Sequence, residues 1–376
     1  LVPATSGSYQ LTLQSTKPEI SQTTASLAWN ASSSEIQTQL STILDPNNIH
    51  DDKSHTNNID VIRSGTAYIL LLQGEHATSD ISITQTNSTL NQPLTITKRQ
   101  DGIHYRDIET LQLWLSENED TLNIESTHAG PTNIDTNDAV DTVNVQTTVG
   151  NLNIDTGNGD DQINIGTNAP TLGGTLNNIQ GNINLNGELG GADKLTIDDS
   201  GDTTTNSSTL TKTSFSGAGL GGTITYTETE DLDIYLGLGG DTVDIESIHA
   251  STPTELWTAG GNDRINVGAN TATVNDINNT LTIDAGSGTS DYLHVSDIND
   301  PTDNVVEITT TRVSGLGMGS GDQTALTTTK GVHFTQFETL EVNTGSGSDD
   351  ITVNGPQADH SILHSSGGID NIYIES

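Results

Sequence analysis

The chain contains no cysteine, so no disulfide holds it together and no thiol chemistry is open to it. Basic residues are nearly as scarce. Eleven Lys and Arg stand against 50 Asp and Glu, a formal charge of −39. A surface this negative repels nucleic acid and anionic membranes and attracts cations. Aromatic residues are few as well, with 3 Trp, 7 Tyr and 3 Phe, too few for a deep groove lined with rings. No apolar run reaches the length of a membrane span. The first residues, Leu1-Val2-Pro3-Ala4-Thr5, have neither the basic start nor the apolar stretch of a signal peptide, so the sequence is read as a mature or excised form.

What is present is Asn, Thr, Ser and Gly, with apolar residues at regular intervals. Low hydrophobicity with high net charge ordinarily means disorder; the regular spacing instead predicts an ordered fold with a thin core. Residues 1–92 read as a small α+β module. Leu11 and Leu13, then Leu27 and Trp29, alternate with polar residues as strands do. Ser32 with Glu35 three residues on has the form of a capping box, and Ile36, Leu40, Ile43 and Leu44 follow at helical spacing up to Asp45-Pro46. Further strands are expected around Ile59–Ile62, Ala67–Leu72 and Ile81–Ile83.

From residue 93 self-similarity replaces the helical signal. Ile108-Glu109-Thr110-Leu111 recurs as Thr229-Glu230-Asp231-Leu232 and as Phe337-Glu338-Thr339-Leu340. Each follows a strand with an aromatic residue: Tyr105, Tyr226 and Phe334. These mark long units at about 111–231, 232–339 and 340–376. The stretch at 120–126 returns at 241–247, and once more at 370–376 where the sequence stops, which reads as a piece of something longer. Within each unit runs a shorter pattern of strand, Gly-rich turn, Asp, then two apolar residues in alternation. Its Asp positions are 120, 141, 161, 193, 241, 263, 291, 349 and 370. A coil of about 20 residues with short strands is the period of a β-solenoid. Residues 93–376 are therefore expected to form a right-handed parallel β-solenoid of about nine coils. The Ser/Thr/Gly-rich stretches 198–230 and 297–339 are expected to leave it as lateral β-hairpins.

The acidic turns are the candidate site. Gly157–Ile163, Gly237–Val243 and Gly345–Ile351 fit G-x-G-x-D-x-apolar, and partial copies surround Asp193, Asp263 and Asp370. Glycine permits the positive φ that turns carbonyls inward. Stacked coils bring like charges about 5 Å apart, where they repel by roughly 3 kcal/mol at an effective dielectric near 20. A cation between them reverses that sign, and Ca²⁺ takes carboxylate and carbonyl oxygens. Calcium is expected at Asp120, Asp141, Asp160, Asp161, Asp193, Asp241, Asp263, Asp349, Asp350 and Asp370, foremost at the pairs Asp160/Asp161 and Asp349/Asp350. Asp in Gly-rich turns also serves turn geometry alone, and from the sequence both readings stand.

These turns look like the nonapeptide calcium repeats of RTX proteins, although RTX repeats run back to back and here one copy occurs per coil. The whole chain resembles the giant repetitive surface or extracellular proteins of environmental bacteria, planctomycetes among them. The residues that carry this are Thr24–Ser32 with Ile36 and Leu40, the Gly/Asp/Asn coil string, and Asp198-Asp199-Ser200-Gly201-Asp202. The resemblance implies an extracellular or cell-surface repeat architecture and no assigned chemistry.

An enzyme is the weaker expectation. A lyase acting on acidic sugars wants Arg or Lys in a groove, and Lys194 and Arg264 each follow a turn Asp that they are expected to neutralise. Among 50 acids a hydrolase-like pair is always to be found. The ten His show no metal-binding spacing, and His128/His249 and His104/His333 recur with the repeat, as architectural residues do. Threonines sit in irregular clusters rather than the columns of an ice-binding face. Sequons at Asn30, Asn87, Asn206 and Asn278 permit glycosylation in a eukaryote. The expected role is a structural or adhesive segment of a surface layer, filament or adhesin. Its partners would be neighbouring copies or repeats of the same protein, with surface carbohydrate in second place. The rival reading is a carbohydrate-binding or carbohydrate-cleaving β-helix.

Overall fold

A computed structural model describes residues 4–16, 19–44, 49–50, 53–54, 58–64, 67–72, 81–94, 96, 108–188, 190–319, 330–355 and 359–375. The chain divides into two compact units, Leu1–His104 and Tyr105–Ser376. The repeat residues Ile103, His104 and Tyr105 lie outside the described residues.

In the first unit the strand Ser8–Thr16 is central. It pairs antiparallel with Glu19–Thr23, Leu27–Ala28 and Ser82–Thr86. The expected helix spans Ser33–Leu44, and its capping box is formed. The Glu35 amide donates to Ser32 Oγ at 3.2 Å, and the Ser32 amide donates to Glu35 Oε2 at 2.8 Å. The Ser32 amide and hydroxyl, both donating to Glu35 Oε2 at 2.8 Å, hold that carboxyl below its usual range. Ile36, Leu40, Ile43 and Leu44 are buried and share a core with Leu11, Leu13, Leu27, Ile59 and Val61. Trp29 falls just past the two-residue strand Leu27–Ala28 and is 44% exposed, so it does not continue the buried alternation.

Among the described residues, the second unit is a parallel solenoid with two walls of 12 strands each. Sheet A begins with Thr121–Ile124, Thr142–Val145 and Gln162–Ile165. Sheet B begins with Leu111–Trp114, Thr132–Asp135 and Leu152–Asp155. Successive strands alternate between the walls, so one coil contributes one strand to each. In-register pairs such as Ile134↔Ile154 and Val143↔Ile163 stack coil on coil. Because side chains alternate across a strand, one set points between the walls. Val143, Val145, Ile163, Ile165, Leu195, Ile265, Leu293 and Val306 are fully buried there. Each such side chain contributes roughly 1.5–3 kcal/mol relative to exposure, realised only when the next coil is in place.

The two Ser/Thr/Gly-rich stretches do form β-hairpins, and both are built into a wall. Ser207–Thr211, Ser214–Gly217 and Thr223–Thr227 run as an antiparallel meander within sheet B. Its last strand sits parallel on Ile183–Asn186 and its first sits parallel under Thr242–Ile245. Val305–Thr309, Arg312–Gly315 and Gly331–Thr335 do the same in sheet A. Each meander adds two extra strands to one wall. One meander in each wall keeps the two walls equal.

The meanders also exchange the walls. Before the first, the strand that follows a turn Asp lies in sheet A (Thr142–Val145 after Asp141). After it, that strand lies in sheet B (Thr242–Ile245 after Asp241). After the second it returns to sheet A (Asp350–Asn354 after Asp349). The long repeat of the sequence is the distance between these exchanges.

Candidate functional site

Each turn Asp immediately precedes its strand, so parallel register places it over the Asp of the neighbouring coil. The side chain then does the work of a missing ladder bond. Asp141 Oδ1 accepts the amide of Asp120 at 2.7 Å, Asp161 Oδ1 that of Asp141 at 2.7 Å, and Asp193 Oδ1 that of Asp161 at 2.8 Å. A second column repeats this with Asp241, Asp263 and Asp291. The Asp241 amide donates to Asp263 Oδ1 and the Asp263 amide to Asp291 Oδ1, both at 2.7 Å. In a third, the Asp349 amide donates to Asp370 Oδ1 at 3.0 Å.

The columns have distinct ends. At the head of the first two stands a glutamate: Glu230 Oε2 accepts the Asp193 amide at 3.0 Å, and Glu338 Oε2 the Asp291 amide at 2.7 Å. These are the glutamates of the Thr-Glu-Asp-Leu and Phe-Glu-Thr-Leu repeats. At the foot of the second and third stands an asparagine. Asn206 and Asn304 give their amides to Asp241 Oδ1 and Asp349 Oδ1 at 2.8 and 2.9 Å. Their side-chain amides donate to Asp202 Oδ2 and Asp300 Oδ2. A donor is needed there, which is why Asn replaces Asp.

Asp141, Asp161, Asp193, Asp241, Asp263, Asp291 and Asp349 are all buried, at 3% exposure or less. Asp120 and Asp370, at column ends, are half-buried, while Asp160 and Asp350 are exposed. The adjacent pairs favoured on sequence are thus split, with one carboxylate inside a column and one outside. Asp160 instead accepts the Ala192 amide at 2.9 Å, and Asp350 accepts the Asn371 side-chain amide at 2.8 Å.

Burial dominates the electrostatics. It pushes Asp193 up to about 7 and Asp263 up to about 6, and it raises Asp161, Asp241, Asp291 and Asp349. Amide donation to Oδ1 opposes the rise, and neighbouring carboxylates add to it. The second oxygens, Oδ2 of Asp141, Asp161, Asp193, Asp263, Asp291 and Asp349, are buried without a hydrogen-bond partner. At Asp161, Asp263 and Asp349 a threonine five residues earlier (Thr156, Thr258, Thr344) opposes the rise while Oδ2 stays without a hydrogen-bond partner.

Sequence reading missed a second set of buried acids at the wall exchanges. Asp199 and Asp297 occupy matching places, and their Oδ1 atoms accept the amides of Leu176 at 2.8 Å and Val274 at 3.0 Å. Burial pushes them up to about 7 and about 8. Three residues on, Asp202 and Asp300 are held below the usual carboxylate range by hydrogen bonds, with Thr204 and Asn206 for the first and Thr302, Asn275 and Asn304 for the second. The signal was available: Asp199–Asn206 and Asp297–Asn304 both read D-x-x-D-x-T-x-N.

The donor set, carboxylates with turn carbonyls, is all oxygen and suits a hard cation such as Ca²⁺. Its arrangement is a column. Among the described residues no three His, Cys, Asp or Glu converge as a metal-binding group. A cation here would be held by the unpartnered Oδ2 atoms of one or two rungs with backbone and water oxygens. Comparison with protein families, with curated proteins and with solved structures found no match.

Proposed function

We propose that the chain is a structural segment of a long extracellular repeat protein. In it, buried carboxylate columns fasten coil to coil and Ca²⁺ at the acidic turns relieves their charge. The observation that carries this is repetition. The same Asp-to-amide bond occurs in coil after coil, whereas an active site is needed once. We read the chain as non-catalytic on that ground. The orphan Oδ2 atoms support the calcium part, because a buried carboxylate oxygen without a donor is costly. With one or two carboxylates per ion, affinity belongs to the weak range of extracellular modules, on the order of 10⁻⁴–10⁻³ M. The net charge of −39 and the resemblance to giant surface proteins support an extracellular setting.

An antibody raised against residues 108–375 tests the placement. We expect it to label intact, unpermeabilised source cells or their shed matrix. Labelling that appears only after permeabilisation would overturn the extracellular reading.

A further inference from the structure

The outer face of sheet B carries a groove of about 590 Å³ across its first five strands. One bank is a row of amides and a hydroxyl: Gln112, Asn133, Asn153, Asn184 and Thr225, each paired in register with the next. Asn153 Nδ2 donates to Asn133 Oδ1 at 2.6 Å, Asn184 Nδ2 to Asn153 Oδ1 at 2.7 Å, and Thr225 Oγ1 to Asn184 Oδ1 at 2.7 Å. The other bank is Trp114, Asp135, Asp155, Asn186 and Thr227, two residues along each strand. Four strand steps of about 4.8 Å make the groove roughly 19 Å long.

We propose that this groove binds an extended, neutral polysaccharide segment. An amide has two N–H donors. Asn153 and Asn184 each spend one on the neighbouring side chain, which leaves each a second donor for a ligand. Across the groove, Asp135 and Asp155 supply acceptors. Donors along one bank and acceptors along the other, repeated at a fixed step, match a polymer whose hydroxyls recur at a fixed step. The two carboxylates, on a chain of charge −39, exclude a polyanion. Trp114, 64% exposed at the end of the groove, offers its face to the apolar side of a sugar ring. Polar rows alone are explained by coil stacking; Trp114, in the terminal described strand of sheet B, adds an aromatic face that no further strand of the sheet covers.

The test uses the whole chain with four neutral hexasaccharides (β-1,4-glucan, β-1,4-mannan, β-1,4-xylan and α-1,4-glucan) and with hexagalacturonate as the acidic control. We expect a saturable change in tryptophan fluorescence with at least one neutral chain and none with the acidic one. Trp114→Ala should weaken that binding at least about tenfold, the scale of a lost aromatic contact, while the melting temperature stays unchanged. Asn153→Ala and Asn184→Ala should weaken it less. Absence of binding to all four neutral chains, binding confined to the acidic chain, or binding that survives Trp114→Ala would each overturn the proposal. The scaffold reading rests on the columns inside the turns and stands or falls separately.

Discussion

A buried Asp in these turns has two oxygens with different duties. At Asp263, Oδ1 accepts the Asp241 amide at 2.7 Å, and Oδ2 is buried without a partner. Asp263→Ala leaves the Asp241 N–H unsatisfied, and we expect a loss of about 1–3 kcal/mol in denaturant unfolding. Asp263→Asn keeps an oxygen for that amide and removes the buried charge. In calcium-free buffer at pH 8 it should match or exceed the parent in stability. With millimolar calcium it should gain less than the parent does. The surrounding glycines set the fit. Gly157 has φ of +74°, and a Cβ there would lie 1.8 Å from the Asn137 carbonyl oxygen, so the turn backbones pack directly on one another and no other residue fits.

At the scale of the element, buried carboxyls of the columns and of the wall exchanges shift in the same direction. Asp193 and Asp199 rise to about 7, Asp263 to about 6 and Asp297 to about 8, against about 3.9 for an unfolded Asp. A raised carboxyl pKa means that the fold prefers the protonated form. Its contribution is complete below about pH 4 and is lost as the pH rises through 6 to 8. In EGTA, acidification from pH 8 to 5.5 should therefore stabilise the solenoid, by about 2 kcal/mol for each group titrating near 7. Asp202 and Asp300, held low, act in the opposite sense only below that window. Thermal melts across this range check the sign; a melting temperature that falls steadily from pH 8 to 5.5 would refute it.

The elements show what the sequence made legible. Strand positions, the coil period and the helix with its capping box all follow from apolar alternation and local hydrogen bonding, which act within a few residues. The Asp of each turn was equally visible. Its partner was not, because the Asp120–Asp141 bond depends on parallel register between coils 21 residues apart. The glutamates at 230 and 338 were seen to recur, yet their duty of closing a column is a property of the wall exchange. Asp199 and Asp297 were hidden for the same reason: what buries them is a loop from the coil below, around Leu176 and Val274.

For the solenoid unit as a whole, two features act together. The meanders, one in each wall, add strands in pairs and swap the walls, so each long repeat rotates the roles of sheets A and B while the core stays continuous. The acidic columns run through the same stack and are interrupted only at those exchanges. Repulsion along the columns must be offset for the coils to remain stacked, and protons or divalent cations offset it alike.

The most direct measurement is thermal melting of this chain at pH 8, in excess EGTA and again in millimolar calcium, with calorimetric titration alongside. We expect a rise of about 5 °C or more, together with binding heats from several equivalent sites, because each occupied site adds stability by mass action. An identical melt in the two buffers, with no binding heat, would contradict calcium at the acidic turns.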